Sequence, residues 1–223
     1  MWAIITGSSR GLGENIALAL ANRGYNIILH GRDIASLNRI SNGLSLDNEI
    51  VLGDIKREST IEKLYDVAKR RDIGILINNA GVYSHKNFEQ ETQLDFYDIL
   101  DTNLLSPINL IRRIYPIFKR KKSGLIVNIN SLAGLSGNPE ECAYCTSKFG
   151  LHGFSSSLRE YAIRDGIKVM DVFLGAMNTQ MTRKRKDQSK CIDPKEAAEV
   201  IADLCKDYKT LKVDEVILTR RLK

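Results

Sequence analysis

Long apolar runs are missing from this 223-residue chain: no stretch approaches the eighteen or so residues that a bilayer span needs. The first strand-like segment, "WAIIT", begins at Trp2 and leaves no room for a cleavable leader, so a cytoplasmic location with no membrane partner is expected. Proline is scarce, at four residues, and no low-complexity tract occurs; with 43% hydrophobic and 27% charged residues, this excludes disordered and fibrous classes. Cysteine is also sparse, and in a reducing compartment Cys142, Cys145, Cys191 and Cys205 make poor material for a disulfide framework. The three histidines, His30, His85 and His152, offer no zinc-type spacing, so no metal site is expected.

What is abundant is positive charge, a formal +6, but it is scattered. "KRKK" at 119–122 precedes Gly124 at the expected end of a long helix, where cations meet the negative end of the helix dipole. No reader motif or aromatic platform accompanies the charge, so a nucleic-acid partner is disfavoured. A second run, Arg183, Lys184, Arg185 and Lys186 with Lys190 beyond it, lies in an expected loop.

Short apolar runs alternate with longer helical patterns throughout. The runs are 2–6, 26–30, 49–52, 73–78, 124–129, 167–174 and 215–219; the helical patterns fall near 12–23, 34–43, 58–70, 92–119, 143–165 and 194–208. Near-continuous apolar strands are buried on both faces, which means a parallel sheet covered by helices. The expectation is one doubly wound α/β domain over residues 1–223, with no linker or repeat.

The first strand runs into "TGSSRGLG", residues 6–13, and a helical pattern follows. Gly7, Gly11 and Gly13 permit a tight turn and close approach of backbone to a pyrophosphate, whose charge meets the N–H groups of the helix start. The spacing is not Gly-x-Gly-x-x-Gly, and no Lys-Ser/Thr pair follows, which disfavours a nucleoside triphosphatase. Beyond the second strand stand Arg32 and Asp33. Asp33 opens "DIASLNRI" and reads as a helix N-cap. Arg32, with Arg10 in the glycine turn, suits a 2′-phosphate, so NADP (NADPH) is favoured while NAD stays open.

"CAYCTSK" at 142–148 holds two rival chemistries, a Cys-x-x-Cys pair and Tyr144 four residues before Lys148. Four residues apart on a helix share a face. A phenol working near neutrality needs its pKa lowered about three units from roughly 10, about 4 kcal/mol. An ammonium some 4 Å away at an effective dielectric near 20 supplies roughly 4 kcal/mol, less a desolvation offset. Ser131, at the end of the fifth strand, stands where a hydroxyl reaches a carbonyl oxygen in the same cleft. The cysteines read as small packing residues beside the site.

In these marks, "TGSSRGLG", Asp54, "NNAG" at 78–81, Asn103, Ser131 and "YCTSK", the chain resembles the short-chain dehydrogenase/reductase family over nearly its full length. The resemblance implies a sheet of order 3-2-1-4-5-6-7 and hydride transfer between a nicotinamide and a carbonyl or alcohol. It implies Tyr144 as acid/base, Lys148 as its electrostatic partner and ribose ligand, Ser131 as carbonyl-positioning group and Asn103 as the anchor of a relay water. Its cofactor set comprises Gly7, Ser9, Arg10, Gly11, Leu12, Gly13, Arg32, Asp54 against the adenine with Ile55, Asn79, Ala80 and Gly81 beneath the cofactor, Tyr144, Lys148, Gly175 and Thr179. "LGAMNT" at 174–179 departs from the family's Pro-Gly, with Leu174 in place of proline. It further implies a homodimer or homotetramer through the helices at 92–119 and 143–165.

Residues 180–193 read as a substrate lid, whose basic side chains either attract an anionic substrate or form a solvated surface. His85, Leu135, Glu140, Met177 and Met181 are candidate pocket residues by distance along the chain. A non-catalytic cofactor-binding regulator of the same fold is the alternative reading.

Overall fold

The computed structural model describes residues 1–183, 187–208 and 210–221. Seven strands form one sheet: β1 (Trp2–Ile5), β2 (Asn26–Gly31), β3 (Asn48–Leu52), β4 (Ile73–Asn78), β5 (Gly124–Ser131), β6 (Ile167–Leu174) and β7 (Glu215–Leu218). All neighbours are parallel, in the order β3-β2-β1-β4-β5-β6-β7, as the sequence predicts. The order reverses between β1 and β4, and the crevice beyond the carboxyl ends of these strands is where such sheets bind ligands.

Helices cover both faces because the strands are apolar on both. In β1, Ala3 and Ile5 pack toward α1 (Gly11–Ala21), α2 (Ile34–Gly43) and α7 (Pro194–Leu204). Trp2 and Ile4 pack toward α3 (Glu58–Arg70), α5 (Ser106–Lys121) and α6 (Cys142–Ala162).

The structure departs from the sequence reading along the helix expected at 92–119. It is α4 (Gln93–Leu100) and α5 joined by one π turn, Asp101–Leu105. The wide turn carries Asn103, and such bulges are frequent at functional sites. The basic run lies at the end of α5 as read, with Lys119, Arg120 and Lys121 in the last turn and Lys122 ending the helix in the left-handed region at φ 50°; Lys121 Nζ reaches out of the helix to the Ile73 carbonyl at 2.6 Å. The next strand extends two residues further than expected, so Ser131 is its last residue.

Candidate active site

The glycine turn is braced from both sides. From the end of β4, Asn79 Nδ2 donates to the carbonyls of Thr6 (2.8 Å) and Gly7 (3.1 Å), while Thr6 Oγ1 accepts from the N–H groups of Asn79 and Ala80, each at 3.0 Å. From the end of β2, His30 Nδ1 accepts the Gly7 N–H at 3.3 Å and the His30 N–H donates to Ser8 Oγ at 2.9 Å. His30 is buried, and desolvation lowers its pKa to about 4, so the imidazole is neutral and its Nδ1 stays an acceptor. Nothing in the sequence singled His30 out, because its partner lies 23 residues away across the sheet.

This turn fits a dinucleotide diphosphate. Gly7 and Gly11 have φ of 66° and 61°, a conformation that glycine adopts without strain. The N-cap residue of α1, Arg10, makes no capping bond with its side chain, which leaves the first N–H groups suited to an anion. The space over Gly11 is bounded by the Thr179 methyl, 3.6 Å from where a Cβ would stand. At Gly13 a Cβ would fall inside the contact distance of the Gly7 carbonyl and Asn79. Gly13→Ala is therefore expected to destabilise the fold by about 1–3 kcal/mol in urea denaturation, as overpacking does. An alanine variant as stable as the parent would show that the turn has room to spare.

Just past the end of β2, Asp33 caps α2, accepting from Ala35 N at 3.1 Å and from Ser36 Oγ at 2.6 Å. Its carboxylate is thus engaged locally, as read from sequence. Arg32 is exposed at the cleft, with Ser9, Leu12, Asp54 and Ile55 also along its wall. Arg10 Nη1 donates to Gln180 Oε1 at 2.8 Å, tying the glycine turn to the segment after β6.

The cleft encloses about 1560 Å³, enough for a dinucleotide with a second molecule, and continues past Asn79, Ala80 and Gly81 to Ser131, Tyr144 and Lys148. Ser131 Oγ accepts the Ala133 N–H at 3.2 Å. The Lys148 ammonium is buried, donates to the Ile129 carbonyl at 2.9 Å and stands 5.8 Å from the Tyr144 ring centroid. Burial governs both titrations. It raises the Tyr144 phenol to about 12, against an opposing pull from the Ser131 hydroxyl. It lowers Lys148 to about 8, opposed by Asp171. The acidified phenol expected from the Tyr-Lys spacing is not found in this geometry: desolvation is the largest cause, and the Glu141 carboxylate pushes the phenol in the same direction.

Asn103 is buried, and its side chain is committed to bracing: Oδ1 accepts from Val82 N at 2.8 Å, and Nδ2 donates to Val82 O at 2.9 Å and Ser147 Oγ at 3.2 Å. Gly175 N donates to Leu218 O at 2.9 Å, which fixes the end of β6 against β7, and Leu174 is buried. Within the expected lid, Gln188 Nε2 donates to Thr179 O at 3.3 Å and Arg220 Nη1 to Asp187 Oδ2 at 2.6 Å. Lys184, Arg185 and Lys186 lie outside the described residues, as does the side chain of Met181; Arg183 borders the cleft and Lys190 is exposed.

The pocket candidates need correction. Met177 borders the cleft, whereas His85, Leu135 and Glu140 are not part of its wall. His85 Nε2 pairs with Glu140 at 3.3 Å on an exposed surface. Residues close to them in the chain face inward instead: Tyr83, Ser136 and Glu141 form the wall. Cys142 and Cys145 are free, and burial raises the Cys145 thiol above its usual range, away from thiolate chemistry.

Comparison with known proteins places this geometry. A family model described as short chain dehydrogenase matches residues 1–190. A 3-oxoacyl-acyl-carrier-protein reductase of Haemophilus influenzae is 33% identical over 190 residues, 84% of this chain and 78% of the relative. An NADPH-dependent pterin aldehyde reductase of Arabidopsis thaliana is 32% identical over 183 residues, 80% of this chain and 75% of the relative. Among solved structures, a metagenomic short-chain oxidoreductase in complex with NADP superimposes with a TM-score of 0.88 at 27% identity, covering 100% of this chain and 98% of that one.

Proposed function

The chain belongs to the short-chain dehydrogenase/reductase family and is an oxidoreductase; from that premise we propose that it reduces a carbonyl, or oxidises the matching alcohol, with NADP(H), using Tyr144 as the acid/base. The observation that carries this reading is convergence: Ser131, Tyr144 and Lys148 share one cleft with the diphosphate-sized glycine turn.

When bound, the nicotinamide supplies or accepts the hydride. Glycine-turn N–H groups would hold the cofactor's diphosphate, Asp54 and Ile55 would border its adenine, and Gly81, Gly175 and Thr179 would lie toward its nicotinamide. The Ser131 hydroxyl orients the substrate oxygen by hydrogen bonding. Tyr144, protonated at neutral pH because its pKa is about 12, delivers the proton to that oxygen. Lys148, whose ammonium persists below about 8, holds positive charge beside the phenolate left behind. Asn103 keeps the loop after β4 in place and so shapes the proton-relay side of the cleft.

Purified protein screened for NADPH oxidation against ketones, aldehydes, keto-sugars and acyl thioesters, with Tyr144→Phe as the blank, tests the reading. Turnover lost in the blank supports it. NADPH binding with no turnover across the panel makes the protein a non-catalytic regulator.

NADP selection rests on Arg32, seconded by Arg10. Arg32→Ala is expected to weaken NADPH binding about 10- to 100-fold, the loss of one charge-assisted hydrogen bond, and to leave NADH unchanged in a fluorescence titration. An unaltered NADPH-to-NADH ratio would remove Arg32 from the site.

No helix among the described residues is long and apolar enough to cross a membrane. Leu94, Tyr97, Leu105, Phe149 and Tyr161 stand exposed on α4 to α6, an apolar surface suited to a homo-oligomer. Arg183 at the cleft wall suits a negative group on the distal part of a substrate.

A further inference from the structure

Glu141 occupies the N-cap position of α6, three residues before Tyr144, yet its side chain makes no capping bond. That differs from Asp33 and Asp193, whose carboxylates cap α2 and α7. At α6 the service comes from elsewhere: Glu91 Oε2 accepts the Ala143 N–H at 3.1 Å. The Glu141 carboxylate is thereby released to face the cleft. It is 9% exposed and accepts the Tyr83 hydroxyl proton at 2.7 Å. The Tyr83 ring in turn meets the Tyr144 ring edge-on, with centroids 5.1 Å apart, so the carboxylate is held in register with the proton donor. Among the described residues, its one side-chain hydrogen-bond partner is this neutral phenol. The charged neighbour Glu140 points away and pairs with His85.

A nearly buried carboxylate at a cleft wall, with a neutral partner, is poorly compensated until a donor or a cation arrives. We propose that Glu141, positioned by Tyr83, is a specificity-determining residue. Close to the reacting carbonyl it selects substrates bearing a hydroxyl, an amide N–H or an ammonium group, and it rejects those bearing a carboxylate or phosphate there. This rests on the hydride-transfer reading above. A negative group is tolerated at the distant Arg183 end of the cleft but not beside Tyr144.

The test uses four ketones that differ in one terminal group: 4-amino-2-butanone, 4-hydroxy-2-butanone, 2-pentanone and acetoacetate. Intrinsic reactivity cancels when kcat/KM of Glu141→Gln is divided by that of the parent for each ketone. Removing the charge is expected to lower that quotient for the ammonium ketone, and to raise it for acetoacetate, so that the two differ by about 10- to 100-fold at neutral pH. Quotients equal for all four ketones would overturn the assignment and reduce Glu141 to a shape-filling residue. Tyr83→Phe keeps the carboxylate and covers the case of a Glu141 variant that does not fold. It removes the hydroxyl that holds the carboxylate, so the ammonium-over-acetoacetate preference should weaken in the same direction as in Glu141→Gln, and a preference identical to the parent's would overturn the positioning by Tyr83. Failure of the parent to turn over any of the four would instead strike at the hydride-transfer reading, and this inference would fall with it.

Discussion

Tyr144→Phe is expected to lower kcat about 10²- to 10⁴-fold, the range supplied by a positioned general acid or base, while NADPH still binds. The substitution deletes one hydroxyl and keeps the ring that makes the edge contact with Tyr83. The loss therefore reports on proton delivery more than on packing. Direction follows from the titrations. With the phenol at about 12, the protonated form dominates at neutral pH and the site is loaded for carbonyl reduction. Alcohol oxidation needs the phenolate and so should accelerate with rising pH. Lys148 limits that rise, because its ammonium, lowered to about 8, is neutral above that value and ceases to stabilise the phenolate. Single-turnover rates in both directions across this range check the sign. A Phe variant that retained most of the parent's rate would end the role assigned to Tyr144.

Much of this arrangement was legible because it is periodic or local. Apolar runs marked the strands, the four-residue step placed Tyr144 and Lys148 on one face, and the glycine turn followed a strand and opened a helix. What escaped depends on contacts between distant segments. His30 bracing Gly7, Arg10 reaching Gln180 and Arg220 reaching Asp187 join residues whose spacing carries no signal. The π turn at Asp101–Leu105 hid inside a pattern that reads as continuous helix. Glu140 and Glu141 are alike in sequence, and the path of the chain into α6 decides which one enters the cleft. The pKa expectation for Tyr144 missed for a different reason. Coulomb attraction can be estimated from a spacing, whereas desolvation depends on the burial of both groups, and the structure buries Lys148 and half-buries Tyr144.

Arg159→Met is expected to cost about 3–5 kcal/mol of stability at neutral pH, the penalty for leaving a buried charge without its partner. Arg159 lies fifteen residues after Tyr144 on the sheet-facing side of α6 and donates to Asp171 Oδ2, Val169 O and Asp214 O, each at 3.1 Å. Asp171, on β6, is fully buried and also accepts from Ser155 Oγ at 2.9 Å. Ser155 accepts from Asn128 Nδ2, which continues the chain into the sheet centre through Asn78. Polar groups thus pin the helix that carries Tyr144 and Lys148 to β4, β5 and β6, and methionine replaces Arg159's length without its charge. The deficit should depend on pH. Burial already raises Asp171 to about 6, and losing the guanidinium raises it further. A carboxyl whose folded pKa lies above its unfolded value contributes stability that is complete below the unfolded value and is lost as pH rises through the folded one. The variant should therefore recover toward the parent as pH falls below about 6 and be weakest at neutrality. His30, lowered to about 4, destabilises both proteins equally on acidification and cancels in the comparison. Urea melts at acid and neutral pH, repeated with the double variant Arg159→Met/Asp171→Asn, provide the check. The neutral amide that Asp171→Asn introduces should restore much of the loss by removing the stranded charge. An equal deficit at both pH values, unrelieved in the double variant, would mean that Arg159 holds α6 by packing alone.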